Sequence, residues 1–298
     1  MARHETMPPR TLELAGDAGI PLRATAWGQE HAPGVLFLHG GGQTRHAWGG
    51  TAQRVAESGR FAVSLDLRGH GESSWHPEGD YALESFVADV REVQTLFAEP
   101  PVLVGASLGG LTALLGSGEA RGLSPRAVVL VDVAPRLERR GTDRIVDFMT
   151  ARPDGFASLE EAAELIAGYT RGRSRASNPN GLGKVLRRGE DGRYRWHWDP
   201  AFISASGPAA IADRPRLLRA AERLSCPALV VRGRESDVLS LEGARELLDH
   251  LPEADFVDVS GAGHMVAGDR NDAFTRAVLE FLDRTLPVAR PPAAAPVR

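Results

Sequence analysis

What the sequence lacks excludes several classes of protein. A single cysteine, Cys226, rules out a disulfide framework and any metal cluster built on cysteines. The zinc-binding patterns HExxH and HxHxD are also absent, so no metal site is expected. No apolar run approaches the roughly 18 residues of a membrane span, and no apolar stretch near the start resembles a signal peptide. We therefore expect a cytoplasmic protein without a membrane span.

Neither sign of charge is in large excess. The net formal charge is −4, whereas proteins that bind nucleic acid usually carry a basic excess. We therefore expect no nucleic-acid partner. Within residues 135–223, however, basic residues outnumber acidic ones. This pattern indicates either a solvated basic face or a funnel for an anionic substrate.

Short apolar runs recur along the chain and predict the strands of one sheet. Continuous runs of four or five apolar residues are typical of strands that are buried on both faces, as in a parallel sheet. Between them, apolar residues recur with a helical period, most clearly over residues 83–97. The alternation predicts an α/β fold with a doubly wound, mostly parallel sheet. The runs occupy residues 35–38, 61–65, 102–104, 127–131, 228–231 and 256–259.

One long segment interrupts this alternation. Residues 135–223 contain helical patterns and polar connections but no clear strand run. We interpret them as a helical cap inserted into a core domain formed by residues 10–134 and 224–286. The ends, residues 1–9 and 287–298, lack periodicity and are predicted to be flexible tails.

Residues 105–109 read Gly-Ala-Ser-Leu-Gly, a G-x-S-x-G motif between a predicted strand and a predicted helix. The glycines permit a tight turn, in which a side chain would collide with neighbouring backbone. The turn places Ser107 at the start of the helix, where free N–H groups and the helix dipole favour negative charge. Ser107 is therefore the candidate nucleophile. The alternative is an idle serine in a glycine-rich turn.

A serine nucleophile needs a base, and the base needs a carboxylate that orients it. His264 follows the last predicted strand and lies at its carboxyl end, where open α/β sheets bind ligands. Asp237 follows the preceding strand, and the order Ser107, Asp237, His264 is expected of a triad on this type of sheet. We therefore expect Asp237 to orient His264. Asp132 is the competing acid, and Glu235 is a weaker one.

Residues 39–42, His-Gly-Gly-Gly, supply candidate donors for a tetrahedral oxyanion. Glycines allow backbone N–H groups to face a substrate. We expect the N–H groups of Leu108 and Gly41 to form the oxyanion hole, with Gly42 as the alternative to Gly41. His39 is interpreted as a structural residue that bonds within its own loop.

Tryptophans provide the candidate substrate pocket. Trp48 follows the His-Gly-Gly-Gly segment and is predicted either to wall the acyl pocket or to be ordinary core. Trp196 and Trp198 belong to an aromatic stretch of the insertion. They are predicted either to line an apolar acyl pocket or to form the insertion's own core.

The sequence resembles the α/β-hydrolase superfamily over about residues 10–286. The resemblance implies an eight-stranded sheet with a helical cap after the sixth strand. It is nearest to the lid-bearing serine hydrolases and esterases, because epoxide hydrolases and haloalkane dehalogenases have an aspartate where this chain has Ser107. The segments that carry it are HGGG (39–42), DLRGHGES (66–73), GASLGG (105–110), GRESD (233–237) and GAGHM (261–265).

These observations predict a serine-dependent hydrolase. The expected reaction is cleavage of a small-molecule carboxylic ester or thioester through an acyl-enzyme, without a cofactor. Two alternatives stay open: hydrolysis of a C–C bond in a meta-cleavage product with the same triad, and ligand binding without catalysis on a hydrolase scaffold. We expect a monomer or a homodimer.

Overall fold

The computed structural model describes residues 8–119, 123–169, 179–206, 213–251, 253–266 and 271–288. Most of each predicted tail therefore lies outside the described residues, namely residues 1–7 of the first tail and residues 289–298 of the second. Two stretches of the predicted cap, residues 170–178 and 207–212, lie outside them as well.

An eight-stranded sheet forms the centre of the fold, and a separate hairpin has two short strands. The ten described strands are β1 (Arg10–Ala15), β2 (Pro21–Trp27), β3 (Gly34–Leu38), β4 (Phe61–Asp66), β5 (Val102–Ala106), β6 (Ala127–Val131), β7 (Leu186–Arg188) and β8 (Tyr194–Trp196) of the hairpin, β9 (Ala228–Gly233) and β10 (Asp255–Val259). The sheet has the order β1-β2-β4-β3-β5-β6-β9-β10. Strands β1 and β2 pair antiparallel, β2 also pairs antiparallel with β4, and every other pairing in this sheet is parallel. This arrangement confirms the predicted doubly wound, mostly parallel sheet.

The helices cover the sheet on both faces because successive side chains of a strand point to opposite sides. In β3, Val35 and Phe37 belong to one apolar cluster, while Leu36 and Leu38 belong to the other. The described helices are α1 (Gly49–Glu57), α2 (Leu83–Gln94), α3 (Leu108–Gly118), α4 (Arg139–Thr150), α5 (Leu159–Tyr169), α6 (Pro200–Ser206), α7 (Arg214–Glu222), α8 (Leu241–Asp249) and α9 (Asn271–Thr285). Helices α1 and α9 pack on the face of Val35 and Phe37, and α2, α3, α7 and α8 pack on the face of Leu36 and Leu38. No helix of the described residues is long and apolar enough to cross a membrane.

The chain between β6 and β9 leaves the sheet and forms α4, α5, the β7–β8 hairpin, α6 and α7. We refer to residues 135–223 as the cap. The residues that follow β8 attach the cap to loops of the sheet. The backbone N–H of Asp199 donates to the carbonyl of Gly69 at 2.9 Å, and the Tyr81 hydroxyl donates to the Asp199 carboxylate at 2.5 Å.

A buried ion pair holds the loop that follows β4 against helix α2. Arg68 donates to both carboxylate oxygens of Asp89, at 2.6 and 2.7 Å, and both side chains are almost fully buried. The nearby Asp66 carboxylate accepts the backbone N–H of Arg45 at 2.6 Å and that of Glu72 at 2.9 Å. The segment over residues 66–73 therefore ties loops together, as a scaffold does.

Candidate active site

The loops that carry the motifs meet at the carboxyl edge of the sheet. The chain runs from β3 to β4 on one side and later returns to β5 on the other side of β3, so the winding reverses between β3 and β5. Open α/β sheets bind ligands outside the carboxyl ends of the strands at such a reversal. Residues 39–42 follow β3 and Ser107 follows β5, so both motifs lie at this point.

Ser107 occupies a strained turn between β5 and α3. Its φ of 46° lies in the left-handed region that non-glycine residues seldom adopt, and such strain is characteristic of functional sites. A Cβ atom at Gly105 would lie 2.3 Å from the carbonyl oxygen of Gly109, and one at Gly109 would lie 2.3 Å from that of Leu38. Both glycines are therefore required by close backbone approach.

The turn is held from both neighbouring strands. The backbone N–H of Ser107 donates to the carbonyl of Val131 in β6 at 3.2 Å, and that of Gly109 donates to the carbonyl of His39 at 3.1 Å. Because Ser107 precedes the first residue of α3, its side chain lies at the positive end of the helix dipole.

The structure pairs His264 with Asp132 and not with Asp237. The Nδ1 atom of His264 lies 2.7 Å from Oδ2 of Asp132. The Asp132 side chain is fully buried, and that of His264 is 10% exposed. The prediction that Asp237 orients the imidazole is therefore wrong, and the competing acid has the contact.

Asp132 is held in place by the loop that follows β9. Its Oδ1 accepts the backbone N–H of Gly233 at 3.0 Å, and its Oδ2 accepts the hydroxyl of Ser236 at 2.6 Å. Asp132 also has a positive φ of 46°, which is rare for a residue with a side chain. A carboxylate with these donors stays oriented toward the imidazole, and Ser236 is a supporting residue that the sequence motifs did not single out.

Asp237 instead faces the cap. Its carboxylate lies 2.8 Å from the guanidinium of Arg144 in α4, and these side chains are 33% and 48% exposed. Gly141, also in α4, packs against the backbone of Asp237 so closely that a Cβ atom would lie 2.1 Å from its carbonyl oxygen. This packing explains the error, because helix α4 contacts both the backbone and the carboxylate of Asp237. Glu235, the weaker rival, is exposed.

Two chains of contacts link Ser107 to His264. The Ser107 N–H bonds to Val131, and the next residue, Asp132, bonds to His264. On the other side, a Cβ atom at Gly40 would lie 3.3 Å from Cβ of Ser107. The amide of Gln43, three residues further on, lies 2.6 Å from the sulfur of Met265, the neighbour of His264.

Residues 40–43 contain the predicted oxyanion donors Gly41 and Gly42, and we therefore call them the oxyanion loop. They form a compact turn beside Ser107. The N–H of Gln43 donates to the carbonyl of Gly40 at 3.1 Å, and the Gln43 side-chain oxygen accepts the N–H of Gly40 at 3.0 Å. Gly42 has a φ of +73°, which favours glycine. Among the described residues, the N–H groups of Gly41, Gly42 and Leu108 donate no hydrogen bond, so these predicted donors are available to a ligand.

His39 is fixed within its loop, as expected. Its Nδ1 lies 2.8 Å from the carbonyl oxygen of Gly40, and its Nε2 accepts the N–H of Leu67 at 3.0 Å. The imidazole is therefore neutral, with the proton on Nδ1. Desolvation by complete burial lowers the pKa of His39 to about 4, which matches this assignment.

The predicted pocket tryptophans occupy cores. Trp48 is 1% exposed and packs between Phe37 and Phe274, at ring distances of 5.5 and 5.7 Å. The interpretation of Trp48 as a pocket wall is therefore wrong, because the α1 and α9 layer encloses it. Trp196 and Trp198 stack at 4.6 Å and are buried inside the cap, which favours the cap-core alternative for both.

Other side chains approach the oxyanion loop from the cap. A Cβ atom at Gly41 would lie 3.4 Å from the ring of Phe202 in α6, and one at Gly42 would lie 3.0 Å from Met149 in α4. Neither residue belongs to a recognisable motif, and only the folded cap brings them to the site. Among the described residues, no group of three His, Cys, Asp or Glu side chains could hold a metal ion.

The oxyanion loop also borders a row of three buried histidines that no sequence motif links. The ring of His70 lies 5.1 Å from that of His39 and 6.0 Å from that of His197. Burial lowers the pKa of His70 to about 3, with His39 as a further cause. Burial also lowers the pKa of His197 well below its usual value. All three imidazoles are therefore neutral near pH 7.

Comparison with curated proteins identifies relatives that span nearly the whole chain. Esterase Rv0045c of Mycobacterium tuberculosis is 31% identical over 278 residues, which cover 88% of this chain and 86% of that protein. The 3-hydroxybutyrate-oligomer hydrolase of Cupriavidus necator is 30% identical over 254 residues, covering 80% of this chain and 85% of its own length.

Solved structures agree with this relationship. A crystal structure of E-2-(acetamidomethylene)succinate hydrolase has a TM-score of 0.80 at 23% identity and covers 92% of this chain and 100% of that one, which establishes likeness of fold. A structure of the esterase Rv0045c has a TM-score of 0.74 at 29% identity and covers 93% of each chain. The family model of the alpha/beta hydrolases matches residues 35–277, which include Ser107, Asp132 and His264. The chain belongs to the alpha/beta hydrolase family, and its similar curated relatives are esterases and other hydrolases.

Proposed function

We propose that this protein is a serine hydrolase that cleaves carboxylic esters or thioesters of small molecules, with Ser107 as nucleophile, His264 as base and Asp132 as orienting acid. The observation that carries the proposal is the 2.7 Å contact between His264 Nδ1 and the buried carboxylate of Asp132. Asp132 follows β6, the strand beside β5, whose end carries Ser107. The relatives named as esterases support the same reaction class.

The contact determines which nitrogen of the neutral His264 imidazole carries the proton. Since a carboxylate only accepts hydrogen bonds, Nδ1 of His264 carries the proton and Nε2 keeps its lone pair. His264 can then take the proton of the Ser107 hydroxyl as Ser107 attacks the substrate carbonyl. Asp132 stabilises the imidazolium that forms. The imidazolium next protonates the leaving group, which departs as the acyl-enzyme forms.

The second half of the reaction uses the same groups. His264 takes a proton from water, the resulting hydroxide attacks the acyl carbon, and Ser107 leaves with the proton returned by His264. In both halves, negative charge develops on the former carbonyl oxygen. The free N–H groups of Leu108 and of Gly41, or of Gly42, are the donors proposed to stabilise it, helped by the dipole of α3.

Hydrolysis of p-nitrophenyl acetate by wild type and by Ser107→Ala tests the proposal. We expect Ser107→Ala to lower kcat by several orders of magnitude, since removal of a triad nucleophile has effects of about 10⁶ in kcat. Equal rates for the two proteins would refute the assignment of Ser107. A matched oxygen ester and thioester with the same acyl group then establish which of the two bonds is cleaved faster.

A further inference from the structure

His197 connects the cap to two loops at the candidate active site. It follows β8 in the cap, and its side chain is almost fully buried. Its Nδ1 accepts the backbone N–H of Gly71 at 2.7 Å. Its Nε2 lies 3.3 Å from the carbonyl oxygen of Gly42 in the oxyanion loop. One cap side chain therefore bridges the loop that follows β4 and the loop that follows β3.

These two contacts determine the tautomer of His197. A backbone N–H is always a donor, so Nδ1 must be the unprotonated nitrogen. Nε2 then carries the proton and donates it to the carbonyl of Gly42. Burial keeps the ring neutral, because it lowers the pKa of His197 well below its usual value. The ring of His70, itself neutral, lies next to it at 6.0 Å.

The carbonyl that His197 holds belongs to the peptide group joining Gly42 to Gln43. The other end of that peptide, the Gln43 N–H, donates to the carbonyl of Gly40 at 3.1 Å. The peptide is thus held at both its oxygen and its nitrogen. Gly40, Gly41 and Gly42 have no side chains to restrict the turn, so these hydrogen bonds determine where the N–H groups of Gly41 and Gly42 point.

We propose that His197 is a positioning residue, through which the docked cap holds the oxyanion loop in its catalytic geometry. The proposal rests on the function proposed above, in which an N–H of this loop stabilises the oxyanion. Donors in such a site are effective when they are already oriented before charge develops. The cap would therefore contribute to the rate of the chemical step through His197.

Two substitutions of His197 separate its two hydrogen bonds. Asparagine places an amide oxygen near the position of Nδ1, so His197→Asn keeps the acceptor for Gly71 but does not reach Gly42. Glutamine places an amide nitrogen near the position of Nε2, so His197→Gln keeps the donor to Gly42. Trp75→Phe is a matched control, because the Trp75 indole N–H donates to the backbone carbonyl of His197 at 3.2 Å and not to its side chain.

Steady-state hydrolysis of p-nitrophenyl acetate by the four proteins is the test, with thermal melting to establish that each is folded. We expect His197→Asn to lower kcat about 10- to 100-fold with KM unchanged, less than the about 10²–10³ for complete loss of an oxyanion donor. His197→Gln should recover most of that loss, and Trp75→Phe should keep the wild-type kcat. An unchanged KM is required, since positioning acts on the transition state.

Three results would overturn the inference: a His197→Asn variant as fast as wild type, equal losses in the Asn and Gln variants, or an effect on KM alone. Labelling of the wild type with a fluorophosphonate identifies a different failure. If Ser107 is not labelled, the proposed function itself is wrong. If Ser107 is labelled and the His197 variants behave like wild type, only the role of His197 is wrong.

Discussion

Replacing Asp132 with asparagine should lower kcat by about 10³- to 10⁴-fold, the size of effect found when a triad aspartate is made an amide. The Oδ2 atom of Asp132 accepts two hydrogen bonds, from His264 Nδ1 and from the Ser236 hydroxyl. An amide NH₂ group at that position would donate instead. It would favour the His264 tautomer with the proton on Nε2, which cannot accept the proton of Ser107. In energy, the loss corresponds to about 4–5.5 kcal/mol of transition-state stabilisation.

Asp237→Asn provides the matched control, because it makes the same chemical change in the neighbouring loop. The Asp237–Arg144 pair is one-third to one-half exposed, and exposed pairs contribute about 0–1 kcal/mol. We expect its kcat to stay within about fivefold of wild type, since about 1 kcal/mol corresponds to a factor of about five. The assay is steady-state ester hydrolysis at one pH.

The reverse ranking would refute this reasoning. If Asp237→Asn lost more than about 10³ in kcat while Asp132→Asn lost little, then Asp237 would orient His264 during turnover. A far-ultraviolet circular dichroism spectrum and a melting curve for each variant establish that both are folded. Asparagine still accepts the Gly233 N–H through its amide oxygen, so the loop after β9 keeps one of its anchors.

Three further changes test the scaffold. Trp48→Ala should lower the free energy of unfolding by about 3–5 kcal/mol in urea titrations while leaving KM for the ester unchanged. A raised KM would show that Trp48 lines the substrate pocket after all. Asp89→Ala should cost about 3–5 kcal/mol because it leaves the buried charge of Arg68 unpaired, and a loss below about 1 kcal/mol would show that water reaches the guanidinium. His39 and His70 have folded pKa values of about 4 and about 3, against 6.5 for the free group, so the unfolded chain binds more protons below pH 6.5. The stabilisation that comes from keeping these histidines neutral is therefore complete above pH 6.5, and it falls by about 1.4 kcal/mol per pH unit for each histidine toward pH 4. Urea titrations at pH 5 and pH 7 should show a smaller loss of unfolding free energy at pH 5 in His70→Gln than in wild type.

Much of the sheet could be predicted because its central strands are buried on both faces. The apolar runs that lie within β3, β5, β6 and β9 are continuous, so no helical period competes with them. The turn that contains Ser107 was predictable for a related reason. Gly105 and Gly109 are required by backbone contacts near 2.3 Å, and this steric requirement appears directly as a motif.

The carboxylate that contacts His264 could not be chosen from sequence, because Asp132 and Asp237 both follow parallel strands that neighbour each other in the sheet. What separates them is the position of α4, whose Gly141 packs on the backbone of Asp237 and whose Arg144 pairs with its carboxylate. That helix has no motif, and its placement depends on tertiary packing. The donors from Gly233 and Ser236 that fix Asp132 are also visible only in the folded chain.

Trp48 and His197 are two further side chains whose positions depend on tertiary packing and could not be predicted from sequence. Trp48 follows the oxyanion loop closely in sequence, yet the short helical turn over Arg45–Trp48 directs it into the layer beneath α1. His197 is distant in sequence from the oxyanion loop, yet the cap brings it to the carbonyl of Gly42. Sequence separation therefore did not predict which aromatic side chains reach the site.

Covalent labelling tests the central claim most directly. The wild-type protein is incubated with a fluorophosphonate, its intact mass is measured, and the modified peptide is mapped. We expect one adduct per chain, located on Ser107, with labelling slowed by Asp132→Asn and unaffected by Asp237→Asn. An adduct on another residue, or no adduct at all, would contradict the assignment of Ser107, His264 and Asp132 as the catalytic groups.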